Sequence, residues 1–120
     1  MKEEINFPAL HYNIAQAYFS LCLFQKSFIF INKAIDKEFE LIKLHIKGEK
    51  IVFNLWILLH KFKSNLEEQL QMHSEAIQTC QIGIDVVWKF SFKEDVSELQ
   101  NKLRKLLKTE GEYQISPPLK

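Results

Sequence analysis

Hydrophobic residues recur along this chain at spacings of three and four, which is the period of an α-helix. No segment alternates with the period of two that is typical of a half-buried strand. The first stripe contains Leu10, Ile14, Ala17 and Leu21. Pro8 suits the first turn of the helix that this stripe predicts, because its missing N–H would be unpaired there. The pattern therefore predicts an all-α fold.

The next two helices are predicted from the same periodicity. A break near residues 22–25 precedes a second helix that ends around Phe39, and so short a turn predicts an antiparallel hairpin. A third helix is expected from about Leu41 to Phe62. Gly48 interrupts it, and a glycine inside a helix usually has a packing reason, so we expect a neighbouring helix to approach closely there.

Two capping signatures predict where the last helices begin. Ser64 with Glu67 is typical of the start of a fourth helix, which would run to about Phe90. Ser91 with Glu94 repeats the signature and predicts a fifth helix. The chain should therefore contain about five helices, and the third and fourth are expected to be long.

The C-terminal residues differ in composition from the rest of the chain. Gly111, Pro117 and Pro118 do not favour a continuing helix. We therefore predict one helical domain over residues 1–108 and a flexible tail over residues 109–120.

Composition and charge exclude several classes of protein. With 47% hydrophobic residues the chain should fold, and a net charge of +1 argues against a dedicated nucleic-acid-binding protein. The basic residues near the C-terminus are expected to form a solvated face, and the longest apolar run is too short to span a membrane. No secretory leader is recognisable after Met1, so we expect a cytoplasmic protein. Cys22 and Cys80 are expected to be buried free thiols, and the alternative is a disulfide between them.

Catalytic and metal-binding patterns are missing from the sequence. The four histidines form no HxxH or HExxH pattern and lie at no ligand spacing from a cysteine. No phosphate-binding loop, dinucleotide fingerprint or nucleophile elbow occurs. We expect no cofactor, no metal and no enzymatic activity.

Residues 10–39 contain a recurrent pattern of small and aromatic side chains, LHYNIAQAYFSLCLFQKSFIFINKAIDKEF. Small residues stand at Ala15, Ser27 and Ala34, where two helices could approach closely. Aromatic residues that could fill the remaining gaps stand at Tyr18, Phe24 and Phe30. This arrangement resembles a tetratricopeptide repeat, with Phe39 in place of the usual proline. The resemblance implies stacked antiparallel helical hairpins.

A second, distorted copy is expected further along. Its first helix would contain Gly48 and Ile51, in KLHIKGEKIVF, and its second helix would contain Ala76 and Gly83, in SEAIQTCQIGID. The extra residues between the two halves would lengthen the third and fourth helices. The fifth helix would then cap the stack.

The run YNIAQAYF…SFIFINKAI, followed by a long helical pair and a terminal helix, is similar to the repeats of certain regulators of Gram-positive bacteria. These are the peptide-pheromone-sensing Rap, Rgg and PlcR-like proteins. The resemblance implies binding of a short peptide inside the cell, by either part of a longer regulator or a stand-alone relative. In such proteins a separate domain binds DNA, so this chain is not expected to contact nucleic acid directly.

The resemblance also implies a binding face. In tetratricopeptide proteins an Asn on a first helix commonly pairs with the backbone of a bound peptide, and Asn13 matches that place. An amide offers both the donor and the acceptor that a peptide backbone requires. The other candidate peptide-binding residues are Tyr12, Gln16, Phe19, Ser20, His45 and Glu49.

Three hypotheses follow from the sequence. The first is a peptide-binding sensor domain of, or related to, a pheromone-responsive transcriptional regulator, in which the peptide shifts the population of conformations. The second is a generic scaffold for protein–protein interaction without a peptide ligand. The third is a non-repeat helical bundle that serves oligomerisation. A homodimer is compatible with each of them.

Overall fold

The computed structural model describes residues 7–48, 55–91 and 93–115, and these ranges are helical apart from short connections. The helices are α1 (Phe7–Ser20), α2 (Phe24–Ile46), α3 (Trp56–Gln69), α4 (His73–Phe90) and α5 (Ser97–Ile115). No strand occurs within the described ranges. The predicted all-α class is confirmed.

Helices α1 and α2 pack closely through small side chains. Ala15, Ser27 and Ala34 are all fully buried, and the Ser27 hydroxyl donates a hydrogen bond of 2.7 Å to the Ala15 carbonyl oxygen. This bond satisfies a hydroxyl group that would otherwise be costly to bury. The prediction that these three small residues face a neighbouring helix is confirmed.

Aromatic rings fill the space around this contact. The rings of Tyr18 and Phe30 lie 5.7 Å apart between centroids, and Phe19 meets Phe24 edge to face at 5.2 Å. Edge-to-face and tilted pairs at such distances stabilise by about 0.5–1.5 kcal/mol beyond the area they bury. Aromatic packing and the Ser27 hydrogen bond therefore both contribute to the contact between the first two helices.

The turns that end α1 and α3 have the same geometry. Cys22 and Gln71 both adopt the left-handed conformation, each with φ of 60°. The N–H of Leu23 donates to the Tyr18 carbonyl oxygen at 2.9 Å, and the N–H of Met72 donates to that of Glu67 at 2.7 Å. These are the six-to-one bonds of a Schellman motif, which ends a helix and reverses the chain.

Small buried residues also recur in α3 and α4. Ser64, Ala76 and Gly83 follow one another at the same spacing as Ala15, Ser27 and Ala34, and all three are buried. At Gly83 the backbone approaches two neighbours, because an added Cβ would lie 2.6 Å from Leu99 Cδ1 and 3.2 Å from His60 Cβ. Helix α5 therefore packs on α4 at a point where no side chain fits.

The predicted third helix is wrong. Leu41 and Ile42 are buried parts of α2, which continues past Phe39 to Ile46, and α3 begins only at Trp56. Gly48 lies in the turn after α2 with φ of 100°, and no atom lies within 4 Å of the position of an added Cβ. Glycine is favoured at this position by the positive φ and not by the close approach of a neighbouring helix.

The expected second copy is therefore also misplaced in its first half. Gly48 does not lie on a packing face, and Ile51 lies outside the described residues. The second half is placed as expected, because Ala76 and Gly83 are buried in α4. The longest described helix is α2, with 23 residues, whereas α3 has 14 and α4 has 18. The prediction that the third and fourth helices are the long ones is wrong.

Both predicted caps are wrong. Ser64 lies inside α3, where its hydroxyl donates to the Lys61 carbonyl oxygen at 3.0 Å, and α4 begins at His73. Ser91 is the left-handed residue that ends α4. Helix α5 begins at Ser97, and Asp95 accepts hydrogen bonds from its N–H and hydroxyl group. Helix α5 continues beyond Lys108 to Ile115, so its predicted end is too early.

Two buried polar contacts fix the start of α3. The Glu38 carboxylate of α2 is 1% exposed and accepts a hydrogen bond of 2.7 Å from the Leu55 N–H, just before the helix begins. The Trp56 indole N–H donates to the Gly83 carbonyl oxygen of α4 at 3.0 Å. An acid at a helix N-terminus is favoured by the helix dipole. Helix α3 is therefore anchored to both α2 and α4.

The two cysteines are free thiols in different environments. Cys80 is buried in the core between α3 and α4, as expected, whereas Cys22 is exposed in the turn after α1. The alternative of a disulfide between them is therefore wrong.

Candidate functional site

The predicted residues on α1 divide into an exposed set and a packed set. Asn13, Gln16 and Ser20 are exposed, so their polar groups are accessible to a ligand. Tyr12 and Phe19 are half-buried instead. Their rings meet Phe62 of α3 edge to face, at 5.5 and 5.6 Å between centroids. These two aromatic residues join α1 to α3 rather than line an open surface.

The two remaining predicted residues, His45 and Glu49, lie outside α1. His45 is exposed in the last turn of α2. Glu49 lies outside the described residues. Within the predicted set, the described ring contacts link Tyr12 and Phe19, which both meet Phe62.

A groove formed by none of the predicted site residues lies between α3 and α5. It is open to solvent and has a volume of about 290 Å³. Its lining is entirely polar or charged and comprises Lys61, Asn65, Glu98, Asn101, Lys102 and Lys105. Three cations and two amides thus face one carboxylate, and this makes the groove positively charged.

Cross-helix hydrogen bonds hold the two walls of the groove. Lys61 Nζ donates to Glu98 Oε1 at 2.6 Å. Lys102 Nζ donates to Asn65 Oδ1 at 2.6 Å and to Glu68 Oε1 at 3.1 Å. A higher residue number on α3 is paired with a higher residue number on α5, so the two helices run in the same direction. The groove therefore follows two parallel helices.

A smaller cavity continues from the groove towards the turn after α3. Its volume is about 200 Å³, and its lining comprises Glu68, Gln71, His73, Leu106 and Thr109. His73 Nε2 donates to the Leu106 carbonyl oxygen at 3.0 Å, which ties the start of α4 to α5. Glu68 borders this cavity and bonds to a lysine of the groove, so the two spaces are adjacent.

A neutral histidine lies in the core next to Lys61, one of the lysines that line the groove. His60 is 3% exposed, and its Nδ1–H donates to the Trp56 carbonyl oxygen at 2.8 Å. Burial lowers the pKa of His60 to about 4; the bond to Trp56 opposes this shift, and the charge of Lys63 adds to it. His60 is therefore a core residue at neutral pH and not an acid–base group of the groove.

A buried acid–hydroxyl pair lies on the opposite side of α3. The Thr79 hydroxyl donates to Glu67 Oε1 at 2.6 Å, and both residues are buried. Burial raises the pKa of Glu67, while the bond from Thr79 opposes the rise. The pair bridges α3 and α4, and its hydrogen bond satisfies both groups. It is a packing contact away from the groove.

Metal and membrane chemistry find no support in the described ranges. No three His, Cys, Asp or Glu side chains there lie close enough together to hold a metal ion. Among the same residues, no helix combines the length and the apolar character that crossing a membrane requires.

The sequence did contain a signal for the groove. Lys61, Asn65 and Glu68 share one face of a helix, because they are four and then three residues apart. On α5, Glu98, Lys102 and Lys105 repeat that spacing. Sequence spacing does not show that these two helix faces lie against each other, because Lys61 and Glu98 are 37 residues apart in the chain.

Comparison with known proteins gives no relative from which a site could be transferred. No family model, no curated protein and no solved structure matches this chain.

Proposed function

We propose that this chain is a tetratricopeptide-like domain inside the cell that holds a peptide or protein segment and is not an enzyme. The observation that carries the proposal is the groove between α3 and α5, where Asn65 and Asn101 lie among three lysines. The amide oxygens accept from Lys102 and Arg104, so the amide N–H groups remain to donate to a peptide backbone, and the lysines offer charge.

The repeat arrangement is supported by equivalent positions in the two hairpins. The buried small residues and the left-handed turns of α1–α2 recur at the same spacing in α3–α4. At that spacing Tyr12, Gln16 and Phe19 of α1 correspond to Lys61, Asn65 and Glu68 of α3. The face predicted on the first hairpin thus corresponds to the groove face of the second. On the first hairpin, this face is covered by the packing of Tyr12 and Phe19 against Phe62.

The proposed biological role is that of a sensor domain of, or related to, a pheromone-responsive transcriptional regulator. The similarity of residues 10–39 to the repeats of such regulators motivates this role. A peptide bound between α3 and α5 would favour one relative placement of these helices, and so shift the population of conformations.

The groove can be tested with a random heptapeptide library selected on the immobilised protein. Enriched peptides, labelled with fluorescein, should lose at least about tenfold in affinity with the Asn65→Ala, Asn101→Ala double variant, because two hydrogen bonds to the peptide are removed. The control is Gln78→Ala, which changes an exposed amide on α4. A library that enriches equally on the double variant would refute the groove as the site.

A second candidate, self-association of two copies without a peptide ligand, is favoured by the outer face of α1 and the turn after it. Leu10, Ala17 and Leu21 lie on one stripe and are exposed, Leu21 by 68%. Residues 7–20 contain no Asp, Glu, Lys or Arg, so two copies could associate through this stripe without repulsion. Sedimentation should then show a dimer that Leu21→Ser dissociates. A wild-type chain that stays monomeric at about 100 μM, where interfaces of ordinary size associate, would refute this candidate.

A further inference from the structure

The charges that line the groove are unbalanced. Lys61, Lys102 and Lys105 contribute three positive charges, and Glu98 is the only carboxylate of the lining. Glu68 lies at the edge and bonds to Lys102. No ion pair joins Lys105 to a carboxylate within the described ranges. The groove is therefore complementary to negative charge even after its internal pairs are formed.

The two internal ion pairs differ in how easily they could be exchanged. In the pair between Lys61 and Glu98, the carboxylate side chain is 66% exposed and the lysine 34% exposed. In the pair between Lys102 and Glu68, the side chains are 19% and 39% exposed, and Asn65 also accepts from the lysine. Exposed ion pairs contribute little to stability, so a ligand carboxylate could replace Glu98 at small cost. Lys102 is instead held in place.

The spacing of the cations fits an extended chain. Lys61 and Glu68 mark the positions of the two ion pairs along α3, about 10 Å apart at 1.5 Å of rise per residue. A peptide in the polyproline II form covers this distance in about three residues, at about 3.1 Å of rise per residue, and its side chains three residues apart lie on the same face. Two acidic side chains three residues apart could therefore reach both cationic centres. Asn65 uses its carbonyl oxygen for Lys102, which leaves its amide N–H groups for a peptide carbonyl.

We infer that the groove between α3 and α5 binds an acidic peptide segment, whose carboxylate takes the place of Glu98 on Lys61 while a second carboxylate approaches Lys102 and Lys105. This inference rests on the proposed function and adds the chemical class of the segment. Glu98 then acts as an internal competitor that occupies Lys61 until an acidic segment arrives. Binding is weakened by salt, because the contacts are exposed to solvent.

Three fluorescein-labelled heptapeptide pools provide the test. They are identical except that the second and fifth residues are Glu in one pool, Gln in another and Lys in the third. By fluorescence anisotropy the Glu pool should bind the full chain about tenfold more tightly than the Gln pool, because two charge-assisted contacts are gained. The Lys pool should not bind measurably.

Charge variants of the protein identify the groove as the place of binding. Lys61→Gln and Lys102→Gln should each weaken binding of the Glu pool about threefold to tenfold, whereas Glu98→Gln should tighten it about threefold. The matched control is Lys108→Gln, an exposed lysine of α5 outside the groove lining, with no effect expected. Circular dichroism of each variant checks that the helices remain.

The outcomes separate this inference from the proposed function. Equal binding of the Glu and Gln pools, with loss in the Asn65→Ala, Asn101→Ala variant, overturns the acidic ligand and leaves peptide holding intact. Weaker binding of the Glu pool to Glu98→Gln also overturns it, because a competitor cannot contribute to affinity. If no pool binds and the random library enriches nothing, peptide holding itself is overturned.

Discussion

Protonation of the buried histidine in α3 should destabilise the fold in mild acid. His60 is enclosed by Trp56, whose ring centroid lies 4.1 Å away, and by the backbone of Gly83. Its Nδ1–H already bonds to a carbonyl oxygen, so an added proton must go to Nε2 inside the core. A buried imidazolium ion without a negative partner is costly.

The magnitude follows from the difference between the folded and unfolded pKa values. The pKa of His60 is about 4 in the fold, against 6.5 in an unfolded chain. Between these values the unfolded chain holds a proton that the folded chain lacks, so stability falls as the pH falls from 6.5 to 4. At about 1.4 kcal/mol per unit, the loss reaches about 3 kcal/mol. A domain of this size has a stability of roughly 5–15 kcal/mol in all.

Urea unfolding followed by circular dichroism at pH 7, 5.5 and 4 measures this loss. The matched variant is His60→Gln, which keeps a donor for the Trp56 carbonyl oxygen and does not titrate. Glu67, whose pKa is raised by burial, contributes a slope of opposite sign, but it does so in both proteins. The difference between wild type and variant therefore isolates His60.

The free energy of unfolding of the wild type should fall by about 3 kcal/mol relative to the variant between pH 7 and pH 4. With a urea dependence of about 1–3 kcal/mol per molar, its midpoint should move by roughly 1–3 M. If the difference between the two proteins is the same at both pH values, His60 is not excluded from protonation by burial and the reasoning is refuted.

The other predictions concern glycines and a buried acid, and urea unfolding measures each of them. The clash of Gly83→Ala with Leu99 and His60 should cost about 1–3 kcal/mol against about 1 kcal/mol gained in helix propensity, so a variant more stable than the wild type would contradict the close packing. Gly48→Ala should cost about 1 kcal/mol through its positive φ alone, and a neutral result would contradict that origin. Thr79→Val should cost about 1–3 kcal/mol at pH 7 and less at pH 4, where protonation of Glu67 relieves the unpaired carboxylate. Equal losses at both pH values would mean that the hydrogen bond is unimportant.

The sequence predicted helix type and the packing of the first hairpin, because both depend on local periodicity. Ala15, Ser27 and Ala34 are buried where the spacing placed them. The predicted helix boundaries are wrong where contacts between distant segments determine where a helix begins. Ser64 and Glu67 read as a helix start, but burial against α4 and the bond from Thr79 place them inside α3. In a capping box the hydroxyl accepts from the backbone N–H three residues on, whereas the Ser64 hydroxyl donates back to the Lys61 carbonyl oxygen, as in a helix interior.

The candidate site was less predictable than the fold. Asn13 is exposed as expected, but the polar groove lies on α3 and α5, and its lysines and amides come together only through contacts between distant segments. Tyr12 and Phe19 were expected on an open face and instead pack on Phe62. A single sequence shows which residues share a helix face. It does not show which faces meet.

Helix α1 contains no Asp, Glu, Lys or Arg, whereas α5 forms ion pairs with α3, so the two helices should respond differently to salt. Of the ion pairs between described residues, those that join different helices, Lys61–Glu98 and Lys102–Glu68, both connect α3 with α5. Raised ionic strength screens such exposed pairs but leaves apolar and aromatic packing unweakened. Because such pairs contribute little to stability, hydrogen exchange in molar salt should accelerate slightly in α5, while α1 keeps its protection.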